Sequence, residues 1–259
     1  DTKVADGEFP VTASKQFEKI LDDKFYCFRE PSYYAFAFSS RDWYDWVKGQ
    51  RKIIPYNKGW KQTGNVLKPT TGASKKSRWT AMQGLMMFWT PEYGNCILAK
   101  NWNIYTEQFV RAALPGGKVS WPDYWSVKSS YDAKTRTFTI SHKMINLPIE
   151  CERKLTFGKK DLKVALTLTF SGDVKAEELV EQLPFLKKSG MQLDIKPGQA
   201  VFSNASGKGV VVKLDKPLKM RTGLESEHHA QTIGSLLIDL GGKHKKDDVV
   251  KLNYSLSSK

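Results

Sequence analysis

Recognisable catalytic signatures are what this 259-residue sequence has least of. Its three cysteines, Cys27, Cys96 and Cys151, stand far apart with no CxxC pair, which excludes a disulfide framework and a structural zinc site and leaves room for one bridge at most. No stretch approaches the roughly eighteen uninterrupted apolar residues of a membrane-spanning helix. The opening "DTKVADGEFP" lacks the basic and apolar regions of a signal peptide. There is no GxSxG elbow and no cysteine-nucleophile signature, so acyl transfer has no support. The glycine pair in "ALPGGKVSW" reads as a turn, because the spacing and strand-to-helix setting of a phosphate-binding loop are missing.

Histidine is scarce as well, with four in the chain. The stretch "ESEHHAQ" gathers Glu225, Glu227, His228 and His229 within five residues. Adjacent side chains of a strand point to opposite faces, so only one of the two histidines can join a given site. No HExxH or second histidine cluster completes a metal centre, and no metal or other cofactor is expected. His228 and His229 read first as structural or solvated and second as sugar contacts or proton-transfer groups. His142 and His244 are weaker candidates still. The sequons at Asn204 and Asn253 occur often by chance and carry almost no weight.

What the chain does have is positive charge and aromatic rings. The formal net charge is +14. Residues 41–78 hold ten basic side chains against two acidic ones, which makes this stretch the electrostatic centre. All eight tryptophans, at 43, 46, 60, 79, 89, 102, 121 and 125, fall in the first half. Trp89 and Trp102 sit in strand-like runs and read as core. Trp43, Trp46, Trp60, Trp121 and Trp125 sit in polar or Gly/Pro-containing surroundings and are candidates for ligand contact. The segment "RDWYDWVKGQRK", residues 41–52, combines both features. Flat rings beside cations suit either stacked bases with paired phosphates or stacked pyranose rings with paired carboxylates and sulfates. Core packing with wet polar tips is the third reading.

Hydrophobic periodicity points to an all-β chain. "LKVALTLTF" alternates Leu162, Val164, Leu166, Leu168 and Phe170 against polar or small residues, which predicts a strand with one buried face. "TRTFTISHKM" and "IECERKLTF" precede it, and "FGKKD" supplies a hairpin turn, so the three form a meander. Further strands are expected at "QAVFS", "GVVVKL", "TIGSLLIDL" and "VVKLNYSL", and in the first half at "YYAFAFSS", "GLMMFW" and "NCILAKNW". One or two short helices are expected, at "SKQFEKILDD" and as a second candidate at "YTEQFVRAA". With no repeat and no linker, residues 1–259 read as a single domain of two closely packed antiparallel sheets.

The order "YYAFAFSSR", "GLMMFWTPEYGN", "NWNIYTEQFVRAALPGG" and "ERKLTFGKKDLKVALTLTF" resembles the β-supersandwich of polysaccharide lyases of the hyaluronate lyase and heparinase groups. It is similar also to galactose-mutarotase-like sandwiches. Ser39, Ser40 and Arg41 match one short element, and Leu114, Pro115 and Gly116 another. The resemblance covers most of the chain and implies the C-terminal part of a longer enzyme, secreted or periplasmic with its signal removed. In those lyases a helical toroid carries most of the catalytic set, so the resemblance implies that the main catalytic residues lie outside this chain. Residues lent to the cleft would come from Arg41, Tyr44, Arg111, His228 and His229.

These readings converge on a carbohydrate-associated sandwich that binds an acidic polysaccharide, probed by Arg41, Trp43, Tyr44, Trp46, Arg51, Lys52, Trp60, Arg111, Trp121 and Trp125. The alternatives are a stand-alone sugar-active enzyme of mutarotase type and a polyanion-binding module. Nucleic acid is disfavoured as the partner, because no RRM, KH, zinc-finger or helix-turn-helix pattern is present and the basic residues are dispersed over both halves.

Overall fold

The computed structural model describes residues 16–21, 25–39, 60–63, 66–69, 83–99, 107–228 and 231–259. The larger sheet contains β1 (Phe17–Leu21), β2 (Phe25–Glu30), β3 (Tyr33–Ser39), β4 (Trp60–Thr63), β5 (Val66–Pro69), β6 (Gln83–Thr90), β7 (Gly94–Leu98), β8 (Phe109–Leu114) and β9 (Lys118–Ser120). The smaller sheet begins with β10 (Pro122–Asp132), β11 (Thr137–Met144), β12 (Ile149–Phe157) and β13 (Asp161–Phe170). After a short β14 (Val174–Lys175), the chain returns to the larger sheet in β15 (Glu178–Lys187). It then adds β16 (Gln192–Lys196), β17 (Gln199–Ser203) and β18 (Gly209–Leu214) to the smaller sheet. The larger sheet is completed by β19 (Met220–Thr222), β20 (Glu225–His228) and β21 (Gln231–Asp239). Finally β22 (Lys243–His244) pairs β14, and β23 (Val249–Ser258) enters the smaller sheet between β13 and β18.

Two features of the larger sheet shape what it can hold. β7 and β8 share one edge of β15, with Ile97 opposite Phe185 and Phe109–Ala113 opposite Glu178–Gln182. β19 and β20 in the same way share one edge of β21. The central strands β15 and β21 are thus flanked along their length, and both of their faces are buried. Pairing is antiparallel throughout except between β20 and β5.

The meander appears as the sequence requires. Leu162, Val164, Leu166, Leu168 and Phe170 are all at most 1% exposed and share the core. At roughly 1.5–3 kcal/mol for each fully buried large apolar side chain, this strand alone makes a major contribution to the stability of the sandwich. Rings from the two sheets stack against one another, Tyr26 on Phe138 with centroids 3.9 Å apart and Phe28 on Phe157 at 3.8 Å. At the edge, Arg136 in the β10–β11 turn reaches Glu30 on β2 at 2.5 Å and so ties the sheets by charge as well.

Both candidate helices are strands. In "SKQFEKILDD", Phe17–Leu21 pairs with Phe25–Arg29, and in "YTEQFVRAA" the described part forms β8. Both segments are too short to hold a helix unaided, and pairing with a neighbouring strand satisfies backbone groups that a short helix would leave open at its ends. Among the described residues there is no helix, and hence none long and apolar enough to cross a membrane.

Candidate functional site

Alternation along the strands decides which side chains leave the core. Val110 and Ala112 belong to the core cluster, so Arg111 between them points to the opposite, outer face of the larger sheet. By the same rule Glu178 lies beside core Leu179, Arg221 beside core Met220, and Leu237 between core Leu236 and Ile238. Arg111 on β8, Glu178 on β15 and Arg221 on β19 therefore come from three strands onto one face.

There they form a single ionic arrangement. Arg111 Nη2 donates to Glu178 Oε1, and Arg221 Nη2 donates to Glu178 Oε2. The three side chains grade outward from the sheet, with Arg111 at 7% exposure, Glu178 at 23% and Arg221 at 43%. They line a cavity of about 360 Å³, to which Lys118, Thr222 and Leu237 also contribute. The hairpin that carries Lys118 turns through Gly116 and Gly117, both with positive φ (76° and 70°), and a side chain at either would meet open space. Three cations face Glu177 and Glu178 across this pocket, so it keeps a positive balance. Guanidinium groups present flat, two-pronged donor sets matched to carboxylate and sulfate.

A larger cavity, of about 490 Å³, lies on the outer face of the smaller sheet. Its charges cancel, Lys163 and Lys213 against Asp161 and Asp215, and Asn253 Nδ2 donates to Asp215 Oδ2 at 2.9 Å. It offers an acidic ligand no net attraction.

A second polar cluster is sealed inside the sandwich. Arg153 Nη2 pairs with Glu181 Oε2 at 2.5 Å, and Tyr254 Oη donates to Glu181 Oε1 at 2.8 Å. Gln108 Nε2 donates to Tyr254 Oη at 2.7 Å, while its Oε1 accepts from the backbone N–H of Leu85 at 2.6 Å. Burial works against the Arg153 charge, but Glu181 and Tyr254 outweigh it and hold the guanidinium above its ordinary pKa. Burial and Glu181 push the Tyr254 hydroxyl well up. Burial and the Arg153 charge bring His142 down to about 3, so this imidazole is neutral. Buried among core side chains, the cluster joins the two sheets.

Of the residues singled out in the sequence, Arg111 reaches the pocket. Trp121 is 5% exposed within the core cluster, where its ring packs instead of facing outward. Trp60 opens β4, Trp125 lies in β10 and His228 ends β20. Arg41, Trp43, Tyr44, Trp46, Arg51, Lys52 and His229 lie outside the described residues. Glu178, Lys118 and Arg221 escaped sequence reading, because an isolated charge beside a turn looks like any solvated residue. Among the described residues no histidine lines the pocket, and no group of three His, Cys, Asp or Glu is placed to hold a metal ion.

No protein-family model matches the sequence, and no curated protein matches it. Solved structures do. A heparan sulfate lyase from Pedobacter heparinus superposes with a TM-score of 0.59 at 9% identity, over 95% of this chain and 37% of the lyase. An Escherichia coli K12 protein named as an aldose 1-epimerase gives 0.50 at 9% identity, over 68% of this chain and 92% of that one. The fold is the galactose-mutarotase-like β-sandwich. A 4-α-glucanotransferase from Thermococcus litoralis shares this mutarotase-like sandwich, with a TM-score of 0.52 at 9% identity over 94% of this chain and 39% of its own. The chain thus spans well under half the length of the lyase and the transferase.

Proposed function

We propose that this mutarotase-like sandwich binds an acidic polysaccharide, with the pocket over Arg111 and Arg221 receiving an acidic group, and that it serves as one part of a polysaccharide lyase. The observation that carries the reading is the convergence of two guanidinium groups on one carboxylate at a pocket of sugar-ligand size. A cavity of about 360 Å³ falls within the ~300–1,000 Å³ typical of small-molecule sites. The two arginines would pair a uronate carboxylate or a sulfate, and Thr222 and Lys118 would meet hydroxyl groups. The likeness to a heparan sulfate lyase supports the class of ligand as analogy of fold. On this reading Trp43, Tyr44 and Trp46 stack sugar rings, and Arg41, Arg51 and Lys52 pair further acidic groups along the chain.

The test is calorimetric titration with a uronate-containing oligosaccharide and with a neutral chain of the same linkage. Arg221→Gln removes a half-exposed cation and should weaken the acidic chain by about three- to tenfold, a charge-assisted hydrogen bond discounted for solvent screening. It should leave the neutral chain unchanged. Trp43→Ala and Trp46→Ala should weaken both chains, each by roughly 0.5–2 kcal/mol. Arg51→Ala should matter more at low salt than at high. Equal affinity for acidic and neutral chains would sink the reading, as would single-stranded DNA binding as tightly with the same dependence on these side chains.

A further inference from the structure

Glu178 occupies the place that the proposed ligand needs. Its two carboxylate oxygens accept from different arginines, Oε1 from Arg111 and Oε2 from Arg221, so a planar carboxylate already spans the gap between the guanidinium groups. Each of the three comes from a separate strand, and the strand between β15 and β19 is β21, which contributes Leu237 to the pocket floor. The arginines are fixed differently. Arg111 is nearly buried on a central strand, whereas Arg221 is 43% exposed on the three-residue β19. The outer jaw therefore has freedom to turn that the inner one lacks.

We infer that Glu178 is a resident counter-ion, a built-in competitor whose carboxylate must leave the Arg111–Arg221 pair before a ligand carboxylate can enter. The inference rests on the reading that this pocket takes an acidic sugar. Exchange keeps the number of anions between the guanidinium groups at one, so Arg111 never stands uncompensated in its buried position. It also makes the site selective. A neutral hexose cannot displace Glu178, and a weakly held anion is outcompeted by a carboxylate tethered at high effective concentration. A ligand that also fills the cavity beside Lys118 and Thr222 has the additional contacts needed to displace it. The opposite role is a positioning one, in which Glu178 holds the arginines for the ligand and its removal weakens binding. The two roles differ in sign.

The experiment compares wild type with Glu178→Gln, Glu178→Asp and the double variant Glu178→Gln/Arg221→Gln, using D-glucuronate as probe with glucose and inorganic sulfate as controls. Affinity is read by titration calorimetry and the ligand-induced rise in Tm by thermal shift. Glu178→Gln should bind glucuronate about tenfold tighter than wild type, the converted loss of one screened charge-assisted contact. Its Tm should fall without ligand and recover with glucuronate, because the ligand restores the missing counter-charge. Glu178→Asp keeps the charge but is one methylene too short to span both arginines, and should lie in between. The double variant should lose the gain. If Glu178→Gln or Glu178→Asp binds glucuronate no better than wild type does, Glu178 is not a competitor, and the acidic-sugar reading survives alone. If no variant and no wild-type protein binds glucuronate, both ideas fall. Glucose carries no charge to exchange with Glu178, so a gain for glucose equal to that for glucuronate would overturn the competition.

Discussion

Arg153 on β12 and Glu181 on β15 meet at 2.5 Å with 1% and 0% of their side chains exposed, so the two sheets of the sandwich are joined by an ion pair that solvent does not reach. Taking both charges out of water costs several kcal/mol, and their attraction offsets this only with further hydrogen bonds in place. Tyr254 and Gln108 supply them at the Glu181 end. Arg153→Met or Glu181→Leu alone should therefore cost about 3–5 kcal/mol, because each strands a buried charge. The double variant should cost much less than the sum. Urea unfolding of the four proteins in the cycle measures this coupling directly, and additive single effects would mean that the pair does not act as a unit.

The same network shows what was legible in the sequence. In "IECERKLTF" the residues Ile149, Cys151, Arg153, Leu155 and Phe157 fall on one face, and all are buried. An arginine in the middle of an apolar alternation is a visible sign of a buried partner, but nothing local names that partner, which lies 28 residues away on the other sheet. The strands β11, β12, β13, β17, β18 and β23 were readable because each has one wetter face and a period near two, and β21, buried on both faces, was readable as a short apolar run between turn formers. β15 was not. "ELVEQLPFLK" is buried on both faces, so its pattern has no period, and its proline and two glutamates look foreign to a central strand. The pocket failed to show for a related reason. Arg111, Glu178 and Arg221 are brought together by sheet order, and strand order is decided by contacts far apart in the chain.

Phe185 lies directly opposite Gly234 between β15 and β21, and its ring covers the position where a side chain would begin. A Cβ at residue 234 would come within 2.3 Å of the ring. Gly234→Ala should therefore destabilise the protein by roughly 1–3 kcal/mol, the range for overpacking a well-filled core. Phe185→Leu carries its own cost but makes room, so Gly234→Ala should be less damaging in that background. A Gly234→Ala effect of equal size in both backgrounds, measured by urea unfolding, would show that the ring is not the obstacle.

Uronate elimination by this chain alone is not expected. The reaction needs a base poised near neutrality beside the acidic C–H bond and a neutraliser for the carboxylate. Arg111 and Arg221 can neutralise. Among the described residues no histidine or tyrosine lines the pocket to act as that base. Incubation of the isolated chain with uronate polysaccharides should give no rise in the ultraviolet absorbance of an unsaturated product. A steady rise at an enzymatic rate would place the full catalytic set within these residues.

The last expectation concerns acid. His142 is 4% exposed on β11, and burial together with the Arg153 charge lowers its pKa from the ordinary 6.5 to about 3. Between those values the unfolded chain takes up a proton that the folded one refuses, so the unfolded state gains with every step toward acid. The stability tied to the neutral imidazole is fully present above about pH 6.5 and is lost progressively as pH falls from there toward 3. The slope from this one group approaches about 1.4 kcal/mol per pH unit in the middle of the window. Carboxylates in ion pairs add a loss of the same sign, so the wild-type curve alone cannot isolate it. His142→Gln keeps a polar side chain of comparable size and removes the titration. Its unfolding free energy, measured by urea at intervals from pH 7 to 4.5, should fall less steeply than that of wild type, with the two curves converging as the pH drops. Parallel curves across that interval would mean that His142 takes up its proton in the folded protein as readily as in the unfolded chain, and that neither burial nor Arg153 governs it.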